Sequence, residues 1–148
     1  MVTRDRLPRL LDVNVMLALS LTNHVHHAVA GHWFEGVGSW ATCPFTEAAY
    51  CRLLLNPRVT GFEIDASEVL TGLQTFCAVE GHEFIEDSAS LTAPLIQLER
   101  MVGHRQVTDF HLVDLAARSG AVLATLDARI PAALAKNDRR FVEVIPVD

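Results

Sequence analysis

The sequence has 148 residues, of which half are apolar and a fifth are charged, and this composition excludes a disordered chain. The length predicts a single domain over residues 1–148 with a sizeable core. The net charge of −6 argues against a nucleic-acid partner unless several of the acids are metal ligands, because bound cations reverse the sign of the local field.

Apolar runs and amphipathic segments alternate along the chain, which predicts strands alternating with helices. The first half is expected to contain a strand at 9–13, helices at 14–21 and 26–37, a strand at 40–43 and a helix at 46–55. The second half is expected to contain a helix at 65–79, a strand at 83–86, helices at 93–102 and 109–119, and strands at 121–126 and 141–145. Thr46 is expected to cap the third helix, and Gly120 to end the last one.

This order of elements predicts an α/β fold. Strands that alternate with helices imply right-handed crossovers and a central parallel sheet, here of roughly four or five strands, with helices on both faces. The last strand alternates in polarity enough to lie at an edge of the sheet. In such sheets ligands bind beyond the carboxyl ends of the strands, so side chains at those ends are candidates for a binding site.

The N-terminus, the longest apolar stretch and the cysteines indicate the cellular compartment. The first six residues lead straight into a strand-like segment, without the apolar core of a signal peptide. The longest apolar stretch, 13–21, contains Asn14 and Ser20 and is too short to span a bilayer. Three cysteines without CxxC spacing argue against a disulfide framework and for buried, reduced thiols. We therefore expect a cytoplasmic protein without a membrane segment.

Four acids lie at the junctions of this pattern. Asp12 ends the first strand, Asp127 follows the fourth, Glu47 lies in the first turn of a helix, and Asp109 opens another helix. Each has an ordinary explanation, since carboxylates cap helices and favour their N-termini. Asp12 is harder to dismiss, because it interrupts an apolar run where an unpaired carboxylate is costly.

Together, these acids predict a site for a hard cation. Carboxylate oxygens with no lysine nearby suit Mg²⁺ or Mn²⁺, and such ions can activate water for phosphodiester cleavage. Asn14 and Thr125 flank the strand ends, where they either cap the helices or hold the carboxylates in place.

The motifs around these acids are similar to those of a known family. Leu-Leu-Asp12-Val-Asn14-Val, Thr46-Glu47, Val-Thr108-Asp109 and Leu-Ala-Thr125-Leu-Asp127 resemble, in order, the acidic motifs of the PIN domain. The greatest resemblance is to VapC-type toxins of bacterial toxin–antitoxin pairs, in a subgroup common in actinobacteria. It covers nearly the whole chain, from residue 9 to about residue 145.

The resemblance implies a Mg²⁺-dependent endoribonuclease that cleaves tRNA or a ribosomal RNA loop. It also implies a homodimer inhibited by a cognate VapB antitoxin, whose C-terminal segment lies across the active site. It brings Asp109 into the site, with Asp12 and Asp109 as the first metal ligands. Glu47 and Asp127 then complete the site and help to activate water.

Three basic residues are candidates for substrate binding. His104 and Arg105 lie in the loop before Asp109, where they are expected to contact RNA phosphates. Arg52 lies five residues after Glu47, where it either faces the same cleft or is solvated.

Other conspicuous residues have simpler explanations. His24, His26 and His27 lack the partners of a zinc site, so they are expected at a helix entry or the surface, with RNA contact as the alternative. Asp114 is expected to be solvated or in a local salt bridge. Three aromatic residues are expected in the core or a dimer interface rather than as base-stacking platforms: Trp33, Phe34 and Phe76.

Two other functions compete with RNA cleavage. A phosphoacceptor signalling domain also places acids at strand ends, but it needs a second acid beside Asp12 and a lysine past the last strand, and the one lysine here is Lys136. A PIN domain that binds RNA without cutting it would be expected to have lost some of the four acids.

Overall fold

The sheet of the computed structural model, which describes residues 4–147, contains five strands. They are β1 (Arg9–Leu11), β2 (Trp40–Thr42), β3 (His82–Phe84), β4 (Val122–Thr125) and β5 (Val142–Val144). Their order across the sheet is β3-β2-β1-β4-β5, and every pairing is parallel. The predicted α/β class and the edge position of the last strand are confirmed.

Seven α-helices connect the strands in the described part of the chain. They are α1 (Val13–Ser20), α2 (His27–Glu35), α3 (Pro44–Leu54), α4 (Pro57–Thr60), α5 (Ala66–Cys77), α6 (Val107–Arg118) and α7 (Arg129–Ala133). Short 3-10 turns occur at Arg4–Arg6, Leu98–Arg100, His104–Gln106 and Lys136–Phe141. None of the helices in residues 4–147 is long and apolar enough to cross a membrane.

The central strands are buried on both faces, which explains why most of their residues are apolar, with Arg9, Thr42 and Thr125 buried at the strand ends. Alternate strand residues pack against α6 on one face, among them Leu10, Ala41 and Leu123. Their neighbours pack against α1, α3 and α5 on the other face, among them Leu11, Trp40 and Ala124. Each fully buried leucine contributes about 1.5–3 kcal/mol, so the two cores fix the sheet between its helical layers.

The aromatic, histidine and cysteine predictions are largely confirmed. Phe34 and Phe76 meet the buried Trp40 ring edge-on at 5.3 and 5.1 Å, and Trp33 packs against the same core. The histidines lie at the entry to α2, where His27 contacts the Ala18 carbonyl at 2.8 Å. All three cysteines are free thiols, but the expected burial holds only for Cys43, since Cys51 and Cys77 are half-buried.

Strand register brings the carboxyl ends of the central strands to one edge. Leu11 at the end of β1 pairs with Ala124 near the end of β4, and the Asp12 N–H donates to the Ala124 carbonyl at 2.9 Å. The chain therefore leaves both strands at the same level. Side chains that follow β1 and β4 are neighbours at this edge.

The helix predicted at 93–102 is wrong. The segment is irregular, apart from the 3-10 turn at Leu98–Arg100. Carboxylates from distant elements take its backbone donors: Asp114 accepts from Leu95 N at 2.7 Å and Ile96 N at 3.3 Å, and Asp138 accepts from Gln97 N at 3.0 Å. Tertiary hydrogen bonds thus replace the bonds that a helix would make.

The same contacts correct the expectation for Asp114. Its salt bridge to Arg118 is present at 3.5 Å, as the local alternative predicts. The side chain is fully buried, however, so the solvated alternative is wrong. Buried carboxylates need several partners, and Asp114 finds them in the 95–96 backbone and Arg118.

The predicted start of α3 is also wrong. The helix begins at Pro44 with Cys43 as its N-cap, because proline at the first helical position lacks only a donor that would be unpaired there. Thr46 occupies the third helical position, and its hydroxyl accepts from Cys43 N at 3.1 Å. Thr46 therefore completes the cap from inside the helix.

Candidate functional site

Asp12 is held rigidly at the junction between β1 and α1. It is the N-cap of α1, with one carboxylate oxygen accepting from Val13 N at 2.8 Å. The other oxygen accepts from the Thr125 hydroxyl at 2.8 Å. The residue is only 6% exposed, and this burial raises the pKa of its carboxyl despite the two hydrogen bonds. Asp12 is fixed in position but poorly solvated.

Thr125, at the end of β4, connects the acids. Besides donating to Asp12, its hydroxyl oxygen accepts from Asp127 N at 3.1 Å and from the Asn14 amide at 3.2 Å. The Asn14 carbonyl oxygen in turn accepts from Leu126 N at 3.1 Å. Asn14 and Thr125 thus join the turn after β4 to the start of α1 and orient the Asp12 carboxylate.

Asp109 lies in the first turn of α6 and lines the same cleft as Asp127, which follows β4. Burial raises its pKa to about 6, and the negative charges of Asp12 and Asp127 add to this effect. Arg129 opposes the shift only in part. The path of the chain before α6 therefore does bring Asp109 to the strand ends.

Asp127 has a basic partner that the sequence prediction missed. Its two carboxylate oxygens accept from Nε and Nη2 of Arg129, each at 2.9 Å, and the Arg129 N–H also donates to it at 2.9 Å. These bonds lower the pKa of Asp127, whereas the pKa of Asp109 is raised. The sequence signal for this pair is the position of Arg129, two residues after Asp127.

A cleft opens beside these acids. It is lined by Arg105, Gln106, Asp109, Phe110, Asp127, Arg129, Ile130 and Ala133. Arg105 therefore faces the site, as predicted from its distance to Asp109. His104 is exposed in the same 3-10 turn, whereas Arg52 is exposed on α3 and is not among the residues that line this cleft.

Glu47 contacts a different group of side chains. The Thr42 hydroxyl donates to its carboxylate at 2.6 Å, and the same hydroxyl contacts Nε2 of His82 at 2.8 Å. Cys77 completes the group. Burial lowers the pKa of His82 and raises the pKa of the Cys77 thiol. These contacts turn the Glu47 carboxylate towards β3 and the end of α5, so its place beside the other acids stays a prediction.

The donors at the strand ends suit a hard divalent cation. Asp12, Asp109 and Asp127 offer carboxylate oxygens, the ligands that Mg²⁺ and Mn²⁺ prefer. Burial is the main cause of the raised pKa of Asp109, and repulsion from the charges of Asp12 and Asp127 adds to it. A cation among the three carboxylates would remove that repulsion, so the residues fit the predicted metal.

Sequence comparisons identify clear relatives. The chain is 41% identical to ribonuclease VapC38 of Mycobacterium tuberculosis (strain ATCC 25618 / H37Rv) over 143 residues, which cover 93% of this chain and 98% of the relative. It is 41% identical to ribonuclease VapC39 of the same strain over 82% of this chain and 89% of the relative. The chain is 37% identical to ribonuclease VapC29 of the same strain, over 80% of this chain and 85% of the relative. No family model matches the chain.

Proposed function

The chain belongs to the VapC family of ribonucleases, and from this premise we propose that it is a Mg²⁺-dependent endoribonuclease, the toxin of a toxin–antitoxin pair. The supporting observation is geometric: the Thr125 hydroxyl joins the Asp12 carboxylate to the backbone of Asp127 at one edge of the sheet, and Asp109 lines the same cleft as Asp127. Three carboxylates so placed are costly for stability, and binding a cation is a function that compensates for this cost.

The four acids would have different roles in metal binding and water activation. Asp12 and Asp109 are the first metal ligands, and Glu47 and Asp127 complete the site and help to activate water. A bound Mg²⁺ or Mn²⁺ supplies Lewis acidity and lowers the pKa of a coordinated water. Thr125 and Asn14 keep the Asp12 carboxylate in its orientation, so little reorganisation is needed when substrate arrives.

The substrate would approach through the cleft beside Asp109. Arg105 lines that cleft and is suited to bidentate contact with a phosphate, with His104 beside it in the same turn. Arg52 is a third candidate, from α3. We propose tRNA or ribosomal RNA as the target, which would make cleavage an inhibitor of translation.

Two partners accompany this function. Membership of the VapC family supports pairing with a VapB-type antitoxin, whose C-terminal segment would lie across the acids. A homodimer is the proposed assembly. Among the alternatives, a phosphoacceptor domain is disfavoured by membership of a ribonuclease family, and an RNA-binding domain without activity by the retention of all four acids.

Incubation of the purified protein with total RNA tests the proposal. We expect cleavage with Mg²⁺ or Mn²⁺, none with EDTA, and a loss on the order of a hundredfold or more in Asp12→Asn. Asp65→Asn is the matched control, because Asp65 also caps a helix but lies outside the cleft. Cleavage in EDTA, or full activity of Asp12→Asn, would show the mechanism to be wrong.

A further inference from the structure

A second group of metal-binding side chains surrounds the Thr42 hydroxyl. Glu47 from α3, Cys77 from the last turn of α5 and His82 from the start of β3 converge on it. One ligand atom from each lies within 4.8 Å of the other two. All three residues are half-buried, so ions in solution can reach them, whereas Thr42 is fully buried beneath them.

The donor types differ from those at the strand ends. A thiol, an imidazole and a carboxylate offer sulfur, nitrogen and oxygen, the combination that Zn²⁺ and Co²⁺ accept and Mg²⁺ does not. We propose that Glu47, Cys77 and His82 form a binding site for a thiophilic divalent cation of the Zn²⁺ class. Water would occupy the fourth position, as in zinc sites with three protein ligands.

Binding would require small rearrangements that the structure permits. Zinc ligands lie at about 2.0–2.3 Å from the ion, so the donor atoms must approach one another by about an ångström. Cys77 would bind as the thiolate and release its proton to solvent. The Thr42 hydroxyl donates its proton to Glu47, so the Thr42 oxygen accepts from His82 Nε2–H. Coordination through Nε2 would move that proton to Nδ1.

The site has a regulatory consequence, because the proposed function also uses Glu47 at the catalytic acids. A thiophilic cation would hold the Glu47 carboxylate beside Cys77 and His82 and keep it from the other acids. Zn²⁺ should therefore inhibit RNA cleavage in the presence of Mg²⁺. This consequence rests on the proposed function, whereas the binding itself does not.

Titration of the full chain with Co²⁺ tests the binding without RNA. We expect one ion per chain to bind with the near-ultraviolet charge-transfer absorption of a cobalt–thiolate bond, which Co²⁺ bound at the carboxylates would not produce. Cys77→Ser should remove the absorption, and His82→Gln should weaken binding by about tenfold or more. Cys51→Ser and His32→Gln are matched controls outside the group and should behave like the wild type. Circular dichroism would verify that each variant is folded.

Absence of the charge-transfer band in the wild type, or its persistence in Cys77→Ser, overturns the site. The inhibitory role is tested by adding Zn²⁺ to the RNA assay at saturating Mg²⁺. The wild type and Cys51→Ser should lose activity, and Cys77→Ser should resist. Equal inhibition of all three overturns the regulatory role. If the wild type cleaves no RNA with any metal, the proposed function fails, while the Co²⁺ spectrum still decides the site.

Discussion

At the scale of single residues, the acids at the strand ends lower the stability of the fold but offer ligands for a cation. Asp109 is half-buried and feels the charges of Asp12 and Asp127, and Asp127 is the acid that pairs with Arg129. Asp12 keeps two hydrogen bonds but little solvent. Acids so arranged are more costly to the folded protein than the same residues on a surface.

This cost predicts a pH-dependent effect of Asp109→Asn in metal-free protein. The folded-state pKa of Asp109, about 6, exceeds the ordinary value of 3.8, so its stabilising contribution is lost as pH rises through that interval. Asparagine stays neutral, and the variant should be more stable than the wild type at pH 7.5. The advantage should shrink as pH falls below about 6. Urea unfolding in EDTA at pH 7.5 and below pH 6 measures the difference in free energy of unfolding between the two proteins. A variant less stable than the wild type at pH 7.5 would contradict the raised pKa of Asp109.

A second prediction concerns Thr125, which orients Asp12 without being a ligand itself. Thr125→Val keeps the volume but removes the bonds to Asp12, Asn14 and Asp127 N. Loss of such support lowers metal affinity by about 10- to 100-fold, so the Mg²⁺ concentration for half-maximal cleavage should rise accordingly. The exposed Thr22→Val serves as the control. An unchanged Mg²⁺ dependence in Thr125→Val would remove Thr125 from the site.

At the scale of elements, local patterns predicted most of the fold, because the central strands are mainly apolar and Gly120 ends α6 with a φ of +64°. The start of α3 was misplaced for a local reason, the proline at its first position, whereas distant residues decide the conformation of the helix that was wrongly predicted. The segment at 93–102 has helical sequence, yet Asp114 and Asp138 bind its backbone. No pattern within the segment contains that information.

Gly81 shows a similar long-range constraint, in the turn before β3. Its φ is +94°, and a Cβ there would lie 2.2 Å from the Gly38 carbonyl oxygen. Gly120 also has positive φ, but a Cβ there would meet nothing within 4 Å. Gly120→Ala should therefore cost about 1–2 kcal/mol from backbone strain alone, and Gly81→Ala clearly more. Urea unfolding of both variants measures the difference, and equal losses would contradict the close approach.

At the scale of the whole molecule, the sheet brings together residues that are distant in sequence. The βα pattern was enough to bring Asp12 and Asp127 to one edge, because both follow neighbouring strands. It could not place Asp109, whose position depends on the irregular chain before α6, and the family resemblance supplied it. The group around Thr42 was missed, since it depends on side-chain contacts that spacing does not reveal, whereas Arg129 was overlooked although it follows Asp127 by two residues.

The net charge of −6 affects how the whole molecule can bind RNA. An acidic chain repels RNA as a whole, so binding needs local positive charge. Arg105 and Arg129 line the cleft, and cations at the acids would add to them. Mg²⁺ would therefore serve RNA binding as well as cleavage in the proposed function.

The measurement that tests the central claim most directly is single-turnover RNA cleavage by Asp109→Asn across a range of Mg²⁺ concentrations. Asp109 is the acid whose place in the site depended on the fold, and Asp87→Asn is the control, because Asp87 also contacts α6, through His111, outside the cleft. We predict a loss on the order of a hundredfold or more for Asp109→Asn that added Mg²⁺ does not restore, and a wild-type rate for Asp87→Asn. Wild-type cleavage by Asp109→Asn would contradict a shared metal site at the sheet edge.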